Sequence, residues 1–390
     1  MDNPHCAWAL GIIVKASASA PIAGSKLQFL DLMSFLLLDR GLIWKYSKKQ
    51  TFALQWPFRI LLGVGMDAVF SWRKTRASDF PECLKLHPAK NGAEAVGYAD
   101  AIKAWRQLFD MTHASRSVVV EAQRNGHAEI VGFGFASFVK KSFADAEVRS
   151  PRPGLNSRII ESIVKGNSVV ATYEEVRDAN TRGDLQQVIL DTSWKHGSLD
   201  AVQVDAVRVL LGRTYQDLFS GYRFSRILTE LVDELDLWHV HGHRSFQIID
   251  RFEAYRQANP ETTWNPERAL AAVTVESMRS DPHSVAAELF QHHLQPQFAF
   301  TQAQQQLLEA ALEGLDDMAA SKSLFVSLPA IKRRWENIFE HVAVSRPDLC
   351  PLDGDGTRGI QKRQRVLTYV RNHPEELRPF DFSGRIKKEK

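Results

Sequence analysis

Three histidines stand at alternate positions in one short segment of the chain. His239, His241 and His243 would project to the same face of a strand, where three imidazoles could converge on a zinc ion. Acidic residues lie close in sequence, at positions 233, 234 and 236, but none of them is a clear fourth ligand. Histidines at the end of a strand more often serve as hydrogen-bonded surface or core groups. We therefore predict no metal site, and a metal-dependent enzyme that uses this cluster is kept as an alternative hypothesis.

A second candidate is the segment from Gln123 to Ala128, which has the spacing Gln-x-x-Gly-x-Ala. This spacing resembles the loop with which acetyltransferases of the GNAT type hold a pyrophosphate. Such a loop lies between a strand and the N-terminus of a helix, where free amides and the helix dipole bind the anion. In this chain a strand-like segment follows Gly126 instead. We predict a hairpin turn here, with a GNAT-like acetyltransferase as the alternative.

The chain offers no stronger catalytic motif. Gly132 and Gly134 form a lone Gly-x-Gly inside a strand-like run, where glycine marks a bulge or a close backbone approach. The sequence has no phosphate-binding P-loop, no nucleophile elbow and no His-Glu-x-x-His pair. We expect no catalytic residues, no cofactor and no enzymatic activity.

A different kind of chemistry is indicated between residues 300 and 342. Thr301 and Gln304 have the spacing of a capping box at the start of one helix. A second short helix is predicted from about Asp316 to Leu324, and Ser327 is a good N-cap for a third. The apolar stripe of the third helix recurs at helical spacing and comprises Ile331, Trp335, Ile338 and Val342.

Basic residues occupy the surface of the third helix that this stripe leaves to solvent. Lys332, Arg333 and Arg334 lie mostly off the stripe, in the first two helical turns, which is where a recognition helix enters the major groove of DNA. The whole stretch resembles the C-terminal helix-turn-helix of the LuxR/NarL-type transcriptional regulators, without a gap. The residues that carry the resemblance are Thr301, Leu308, Gly314, Leu315, Leu324, Val326, Ser327, Ile331, Lys332, Asn337, Ile338 and Val342.

The resemblance implies a set of DNA contacts. Lys332 and Arg333 would face the groove, and Ser327 and Arg334 would approach phosphates. The sequence departs from the family pattern at four positions, which bear on sequence specificity more than on the fold. They are Ala320, Ala330, Arg334 and Glu336. A small helical bundle with an incidental basic face is the alternative interpretation of this stretch.

A further basic helix is predicted from Arg358 to Asn372, which contains five arginines and lysines and no acid. Beside a recognition helix, such a run can contact the phosphate backbone, although a solvated helix face is the usual reason for a charge run. The predicted DNA-binding residues are Ser327, Pro329, Lys332, Arg333, Arg334, Asn337, Lys362, Arg363 and Arg365.

Length and composition set broad limits. The 390 residues suffice for two or three domains, and a hydrophobic content of 44% supports a substantial core. A net charge of +3 is too small to indicate nucleic-acid binding, so that signal must come from local clusters. Cys6, Cys83 and Cys350 are far apart and lack metal-ligand spacing, which indicates a reducing, cytoplasmic environment. The apolar run from Leu27 to Leu38 is too short to span a bilayer, so we expect no membrane partner.

The chain is predicted to fall into three segments. Residues 1–78 form an N-terminal extension of uncertain structure. Residues 79–298 mix helices and strands, which indicates an α/β (or α+β) sensory or regulatory domain. Within this domain, Ala201–Ser220 is predicted as a long helix and Tyr222–Leu235 as a second helix after it. Residues 299–390 are predicted as an all-α, LuxR-like helix-turn-helix DNA-binding domain with a basic C-terminal helix.

These expectations combine into one functional hypothesis. The chain is predicted to be a transcriptional regulator that binds double-stranded DNA as a homodimer. Two symmetric DNA-binding domains bind more tightly than one, and the dimer sets the spacing between the two half-sites. Its middle domain is expected to bind an unknown small-molecule or protein effector. In the alternative hypothesis, a GNAT-like or metal-dependent enzyme uses the C-terminal bundle as an interaction module.

Overall fold

The computed structural model describes residues 59–60, 69–86, 92–124, 126–232, 246–261, 268–280, 286–291, 294–350 and 359–383. All of them belong to one compact unit that runs from Trp56 to Lys390. The histidine cluster at 239–243 and most of the predicted N-terminal extension lie outside the described residues. No helix within the described ranges combines the length and the hydropathy that crossing a bilayer requires.

The described strands form one mixed, eight-stranded sheet. In chain order they are β1 (Arg59–Ile60), β2 (Val69–Lys74), β3 (Ser115–Arg124), β4 (His127–Val139), β5 (Leu185–Trp194), β6 (Phe224–Leu231), β7 (Gln247–Asp250) and β8 (Ala269–Thr274). Their spatial order is β1-β2-β3-β4-β5-β6-β8-β7. Neighbours pair antiparallel except β5 and β6, which are parallel.

Helices flank this sheet and follow it toward the C-terminus. Those up to residue 291 are α1 (Phe80–Leu86), α2 (Ala93–Val96), α3 (Tyr98–Asp110), α4 (Lys141–Arg149), α5 (Leu155–Val164), α6 (Tyr173–Arg182), α7 (Ala201–Phe219), α8 (Glu253–Ala258), α9 (Val275–Ser280) and α10 (Ala287–Gln291). The later ones are α11 (Gln302–Leu312), α12 (Asp317–Ser323), α13 (Leu328–Ser345) and α14 (Gly359–Asn372), followed by a 3-10 turn at Pro374–Leu377.

Alternation along β4 explains how helices cover both faces of the sheet. Phe133 and Phe135 point to one face and contact the Trp105 ring of α3 at centroid distances of 6.5 and 5.0 Å. Gly132 points to the other face, where a Cβ atom would lie 2.7 Å from Cγ1 of Val207 in α7. The predicted role of this Gly-x-Gly segment in a close backbone approach is therefore confirmed.

The predicted hairpin at Gly126 is confirmed. β3 and β4 pair antiparallel, with Arg124 opposite His127, and Gly126 has a φ of +79°. Because a strand follows Gly126, no helix N-terminus is present there to hold an anion. The Gln-x-x-Gly-x-Ala segment is thus the end of a hairpin.

The helix predicted from Tyr222 to Leu235 is wrong. Phe224–Leu231 is the strand β6, which lies between β5 and β8 inside the sheet. Six of its eight residues are buried. A strand that is covered on both faces has no polar alternation, so its sequence can resemble a buried helix.

The C-terminal helices have an apolar core of their own, and their predicted starts are confirmed. Thr301 and Gln304 form a reciprocal capping box at α11, and the Ser327 hydroxyl accepts the Ala330 amide at α13 at 3.4 Å. The core of these helices includes Leu308, Ile331, Trp335, Ile338, Val342, Val366 and Val370. The predicted apolar stripe of the third helix is therefore buried.

The predicted fold class, a sheet domain followed by a separate all-α helix-turn-helix domain, is wrong. The C-terminal helices belong to the same compact unit as the mixed sheet. Arg378, which follows the last 3-10 turn, shows why. Its guanidinium donates to the carbonyl oxygens of Ser220 at 2.9 Å and Leu218 at 3.2 Å, at the end of α7. It also lies 4.7 Å above the Tyr222 ring and is only 5% exposed.

Further contacts join the same two regions. The Asn180 side chain donates to the Pro379 carbonyl at 2.8 Å, and the Asp381 amide donates to the Thr181 hydroxyl at 2.8 Å. Gly221 packs so closely against the 3-10 turn that a Cβ atom would lie 2.5 Å from the Glu375 nitrogen. These buried polar contacts hold the C-terminal segment against the sheet, which a short linker between independent domains would not do.

Candidate functional site

The N-terminal half of α13 presents cations to solvent. Its buried stripe fixes the rotation of the helix, so Lys332, Arg333 and Asn337 are exposed and Arg334 is half-buried. Within the described part of the chain, none of the three cations forms an ion pair. They are available to an anionic partner.

The helix start itself supports this surface. Ser327 caps the helix, and Pro329 lies in the first turn, where the missing amide hydrogen loses no helical bond. The macrodipole places partial positive charge at the same end. No acidic residue occupies the first turn. Ser327, Pro329, Lys332 and Arg333 thus share one electropositive end of α13.

The basic residues of α14 divide into two groups. Lys362 is half-buried and Arg365 is exposed, and neither forms an ion pair with a described residue. Arg363 instead pairs with Asp317 of α12, with Nη1 2.7 Å from Oδ1, and stacks 4.4 Å above the Trp335 ring. Arg363 therefore ties three helices together, and the structure places it in a packing role that the charge run did not predict.

Asp317 is a functional neighbour that the sequence analysis missed. Its carboxylate accepts from Arg363 and also from Nε1 of Trp335, at 3.3 Å. In the sequence, Asp317 appears only as an acid in the first turn of a short helix. The helix dipole favours an acid at that position, so the residue gave no sign of a further role. Asp317 fixes the Trp335 indole and hence the face that α13 shows to solvent.

The turn between α12 and α13 has an unusual conformation. Phe325 adopts a left-handed φ of +53° and its side chain is 94% exposed. The Ser321 hydroxyl donates to the Val326 carbonyl and so braces the turn. A large apolar side chain is thus held in solvent, two residues before the N-cap of α13.

A cavity of 430 Å³ lies next to this turn, between the C-terminal helices and one end of the sheet. Its residues come from β2 and β3, from the loop before β3, and from α11 and the α12–α13 turn. They include Lys74, Thr75, His113, Arg116, Tyr222, Gln306, Glu309 and Phe325. The sequence analysis did not bring these residues together, because they come from segments that are distant in sequence.

A smaller cavity of 80 Å³ lies under α7 and is mainly apolar. It borders Gly134 of β4, Asp191 of β5 and Tyr215 of α7. Burial raises the pKa of Tyr215 well above its ordinary value, and its hydroxyl hydrogen-bonds the Gln187 side chain. Tyr215 is therefore a neutral structural hydroxyl at physiological pH.

No constellation of three metal-ligating side chains occurs among the described residues. His239, His241 and His243, which were the sequence candidates, lie outside them. Cys83 and Cys350 are both buried free thiols, and burial raises the pKa of each. Neither thiol has the lowered pKa that a reactive cysteine needs.

Comparison with known proteins gives neither a family model nor a curated protein that matches this chain. Among solved structures, it is similar to a mosquito arylalkylamine N-acetyltransferase-like protein, with a TM-score of 0.34, 12% identity, and 53% of this chain and 99% of the other covered. It is similar to the C-terminal condensation domain of Ebony, solved with beta-alanyl-dopamine, with a TM-score of 0.32, 11% identity, and coverage of 53% and 98%. An uncharacterised protein from Bacillus halodurans matches with a TM-score of 0.30, 11% identity, and coverage of 62% and 99%.

The first two similar structures are an acetyltransferase-like protein and a condensation domain by their descriptions. TM-scores of this size carry no argument for a shared function.

Proposed function

We propose that this chain is a DNA-binding transcriptional regulator that contacts duplex DNA with the exposed end of α13. The proposal rests mainly on one observation: Lys332 and Arg333 are exposed, form no ion pair with a described residue, and lie at the capped, electropositive end of a helix whose other face is buried. Residues 300–342 also resemble the DNA readers of LuxR/NarL-type regulators, as described above.

The contacts divide by chemistry. Lys332, Arg333 and Asn337 carry the donors that base edges in the major groove accept. Ser327 and Arg334 would approach the phosphates on one side, and Lys362 and Arg365 of α14 on the other. Arg363 is left out of this set because its guanidinium is engaged by Asp317 and Trp335.

We propose a binding function rather than a catalytic one. An acyl-CoA pyrophosphate requires free amides at a helix N-terminus that follows a strand. The helix after β5 is α7, and there the Asp200 carboxylate already accepts the Gln203 amide at 2.9 Å. A carboxylate at that position also repels a second anion. The hairpin at Gly126 leaves no helix N-terminus at the Gln-x-x-Gly-x-Ala segment, which counts against the acetyltransferase alternative at that segment.

The test is fluorescence anisotropy of labelled duplex DNA from the upstream region of the chain's own gene, over a salt series, with a scrambled duplex beside it. The variant Lys332→Ala/Arg333→Ala is compared with Arg106→Ala/Arg182→Ala, which removes two exposed charges from α3 and α6. We expect the first variant to lose the preference for the native duplex over the scrambled one, because contacts to base edges carry sequence specificity, and the second to bind as the wild type does.

Several outcomes separate the hypotheses. Tighter binding to the native duplex, lost in the α13 variant, supports a sequence-reading regulator. Equal losses in both variants would mean that diffuse positive charge, not α13, binds DNA. If folded wild-type protein does not bind at low salt, DNA binding is rejected, and titration with acetyl-CoA becomes the next measurement. Size-exclusion chromatography with light scattering tests the proposed homodimer.

A further inference from the structure

The 430 Å³ cavity between the sheet and the C-terminal helices has the size of a small-molecule site, for which roughly 300–1,000 Å³ is typical. It joins the two regions that a sensing protein must couple. One wall is formed by Lys74, Thr75, Arg116 and Tyr222 of the sheet region. The opposite wall includes Gln306 of α11 and the segment Ser323–Phe325.

Arg116 gives this cavity its charge preference. Its side chain is 16% exposed, and its nearest carboxylate oxygen is Oε1 of Glu309, 3.8 Å from Nη2. Its hydrogen bonds to described residues are long: Nη1 donates to the Ser115 carbonyl at 3.2 Å, and Nη2 donates to the Tyr222 hydroxyl at 3.5 Å. An arginine offers five donors, and the hydrogen bonds of Arg116 to described residues use only two of them. A largely buried guanidinium whose nearest carboxylate oxygen is 3.8 Å away favours an anion that can bind it at hydrogen-bond distance.

Glu309 does not fully compensate the charge of Arg116, because a second arginine also contacts the Glu309 carboxylate. Nη1 of Arg378 lies 3.3 Å from the same Oε1 atom, which is closer than Arg116. Lys74 also borders the cavity and pairs with Glu313. Three cations, Lys74, Arg116 and Arg378, therefore share the two carboxylates of Glu309 and Glu313, which leaves one positive charge in excess beside the cavity.

The remaining lining favours an aromatic body and a few polar groups. Three aromatic residues, Phe109, Tyr173 and Phe325, are among those that border the cavity. The Thr75 residue is 5% exposed, and its hydroxyl has no hydrogen-bond partner among the described residues. Nε2 of His113 donates to the Ala171 carbonyl at 3.2 Å, which leaves Nδ1 as an acceptor in the neutral ring.

The position of the cavity relative to α13 suggests what its ligand would do. Ser323, Leu324 and Phe325 line it, and Ser327 caps α13 only two residues later. Phe325 is 94% exposed and strained in the left-handed region. A ligand that covers this ring would bury apolar area and bias the turn from which α13 starts.

We propose that this cavity binds a small aromatic monocarboxylate, and that this ligand is the effector of the DNA-binding surface. The carboxylate binds Arg116, and the ring packs against the aromatic wall that ends in Phe325. The regulatory part of the proposal depends on the proposed DNA binding. The ligand-binding part does not, so the two can fail separately.

The experiment is isothermal titration of the full chain, without DNA, with benzoate, phenylacetate and indole-3-acetate. The corresponding amides, which have the same shape but no charge, serve as matched ligands. The variants are Arg116→Gln, Gln306→Glu, which adds a like charge to the cavity wall, and Phe325→Ala, whose exposed side chain is not needed for folding. Lys332→Ala/Arg333→Ala is the control that leaves the cavity intact.

We expect at least one carboxylate to bind and its amide to bind at least about tenfold more weakly, since one hydrogen bond to a charged group contributes about 1.5–3 kcal/mol. Gln306→Glu and Phe325→Ala should weaken binding even if Arg116→Gln fails to fold, and Lys332→Ala/Arg333→Ala should bind as the wild type does. In the anisotropy assay, the same ligand should change DNA affinity.

Three results would overturn the inference. If no carboxylate releases measurable heat at millimolar concentration while the protein binds DNA, the cavity is not the effector site. Equal binding of acid and amide would reject the role of Arg116. A carboxylate that binds in the cavity but leaves DNA affinity unchanged would reject the regulatory role alone. Ligand binding by a protein that does not bind DNA would retain the site and reject the proposed function.

Discussion

Arg378→Met tests whether the C-terminal helices are held to the sheet as the structure indicates. Methionine retains a long apolar stem but removes every donor. The carbonyls of Leu218 and Ser220 then lose their charged partner, and Glu309 retains only Arg116, 3.8 Å away. Hydrogen bonds to charged groups contribute about 1.5–3 kcal/mol each, so the loss of two gives about 3–6 kcal/mol before the methionine recovers part by packing. We expect a net loss of about 3 kcal/mol.

The assay is hydrogen exchange measured by mass spectrometry on peptides from α11 and from the 3-10 turn at Pro374–Leu377. A loss of about 3 kcal/mol in local opening free energy corresponds to exchange faster by roughly two orders of magnitude. Arg371→Met is the matched control, because Arg371 is exposed and forms no ion pair with a described residue. Its exchange should equal that of the wild type.

The outcome distinguishes two descriptions of the chain. Faster exchange in both the C-terminal peptides and the end of α7 means that the two regions open together. Wild-type rates in Arg378→Met would refute the anchoring role of Arg378. Faster exchange confined to the 3-10 turn would limit that role to the turn itself.

Three further predictions follow from single residues. Phe325→Gly should be more stable than Phe325→Ala by about 0.5–1 kcal/mol in chemical denaturation. Glycine adopts the left-handed conformation of this position without steric cost, although it loses more backbone entropy on folding. An alanine variant of equal or greater stability would contradict the backbone strain at this position. Burial lowers the pKa of His113 below its ordinary value of 6.5, so the unfolded state binds more protons than the folded state as the pH falls from about 7 to 5. The free energy of unfolding should therefore fall over that range, and it should fall less steeply in His113→Gln. Parallel curves of stability against pH for the two proteins would exclude this residue as the cause. Burial, with the Asp79 and Asp191 carboxylates, raises the pKa of the Cys83 thiol, so iodoacetamide should label it at mildly alkaline pH only after unfolding, as read by mass spectrometry; labelling of the native protein would show that the site opens.

Local features of the sequence were sufficient to predict several elements. The capping box of Thr301 and Gln304, the Ser327 cap and the apolar stripe of α13 all involve residues within a few turns of one another. The hairpin at Gly126 was equally local, because a short turn between two strand-like runs fixes its own pairing. Each of these features is satisfied by neighbours in sequence, and each was predicted with nearly correct bounds.

The strand β6 was mistaken for a helix because its pattern depends on what covers it. Phe224–Leu231 is buried among β5, β8 and the helices on both faces, so polar alternation is absent. Without a solvent-facing side, the apolar residues follow neither the period of a helix nor that of a strand. The choice between strand and helix was made by backbone pairing with β5, whose residues lie about 40 positions earlier.

The sequence by itself determined the helices of the C-terminal region, their caps and the exposed cations of α13, because solvent exposure and capping act over one or two turns. Only the tertiary structure decided that these helices pack against the sheet and that Arg363 faces Trp335. It also decided that Arg116 and Phe325 line one cavity. The residues brought together in this way are far apart in sequence: Arg363 lies 28 positions after Trp335, and Asp381 lies 200 positions after Thr181. Their charges and rings look like ordinary surface groups in the sequence. Packing brings them together, and so the candidate effector site is a property of the fold that no local pattern encodes.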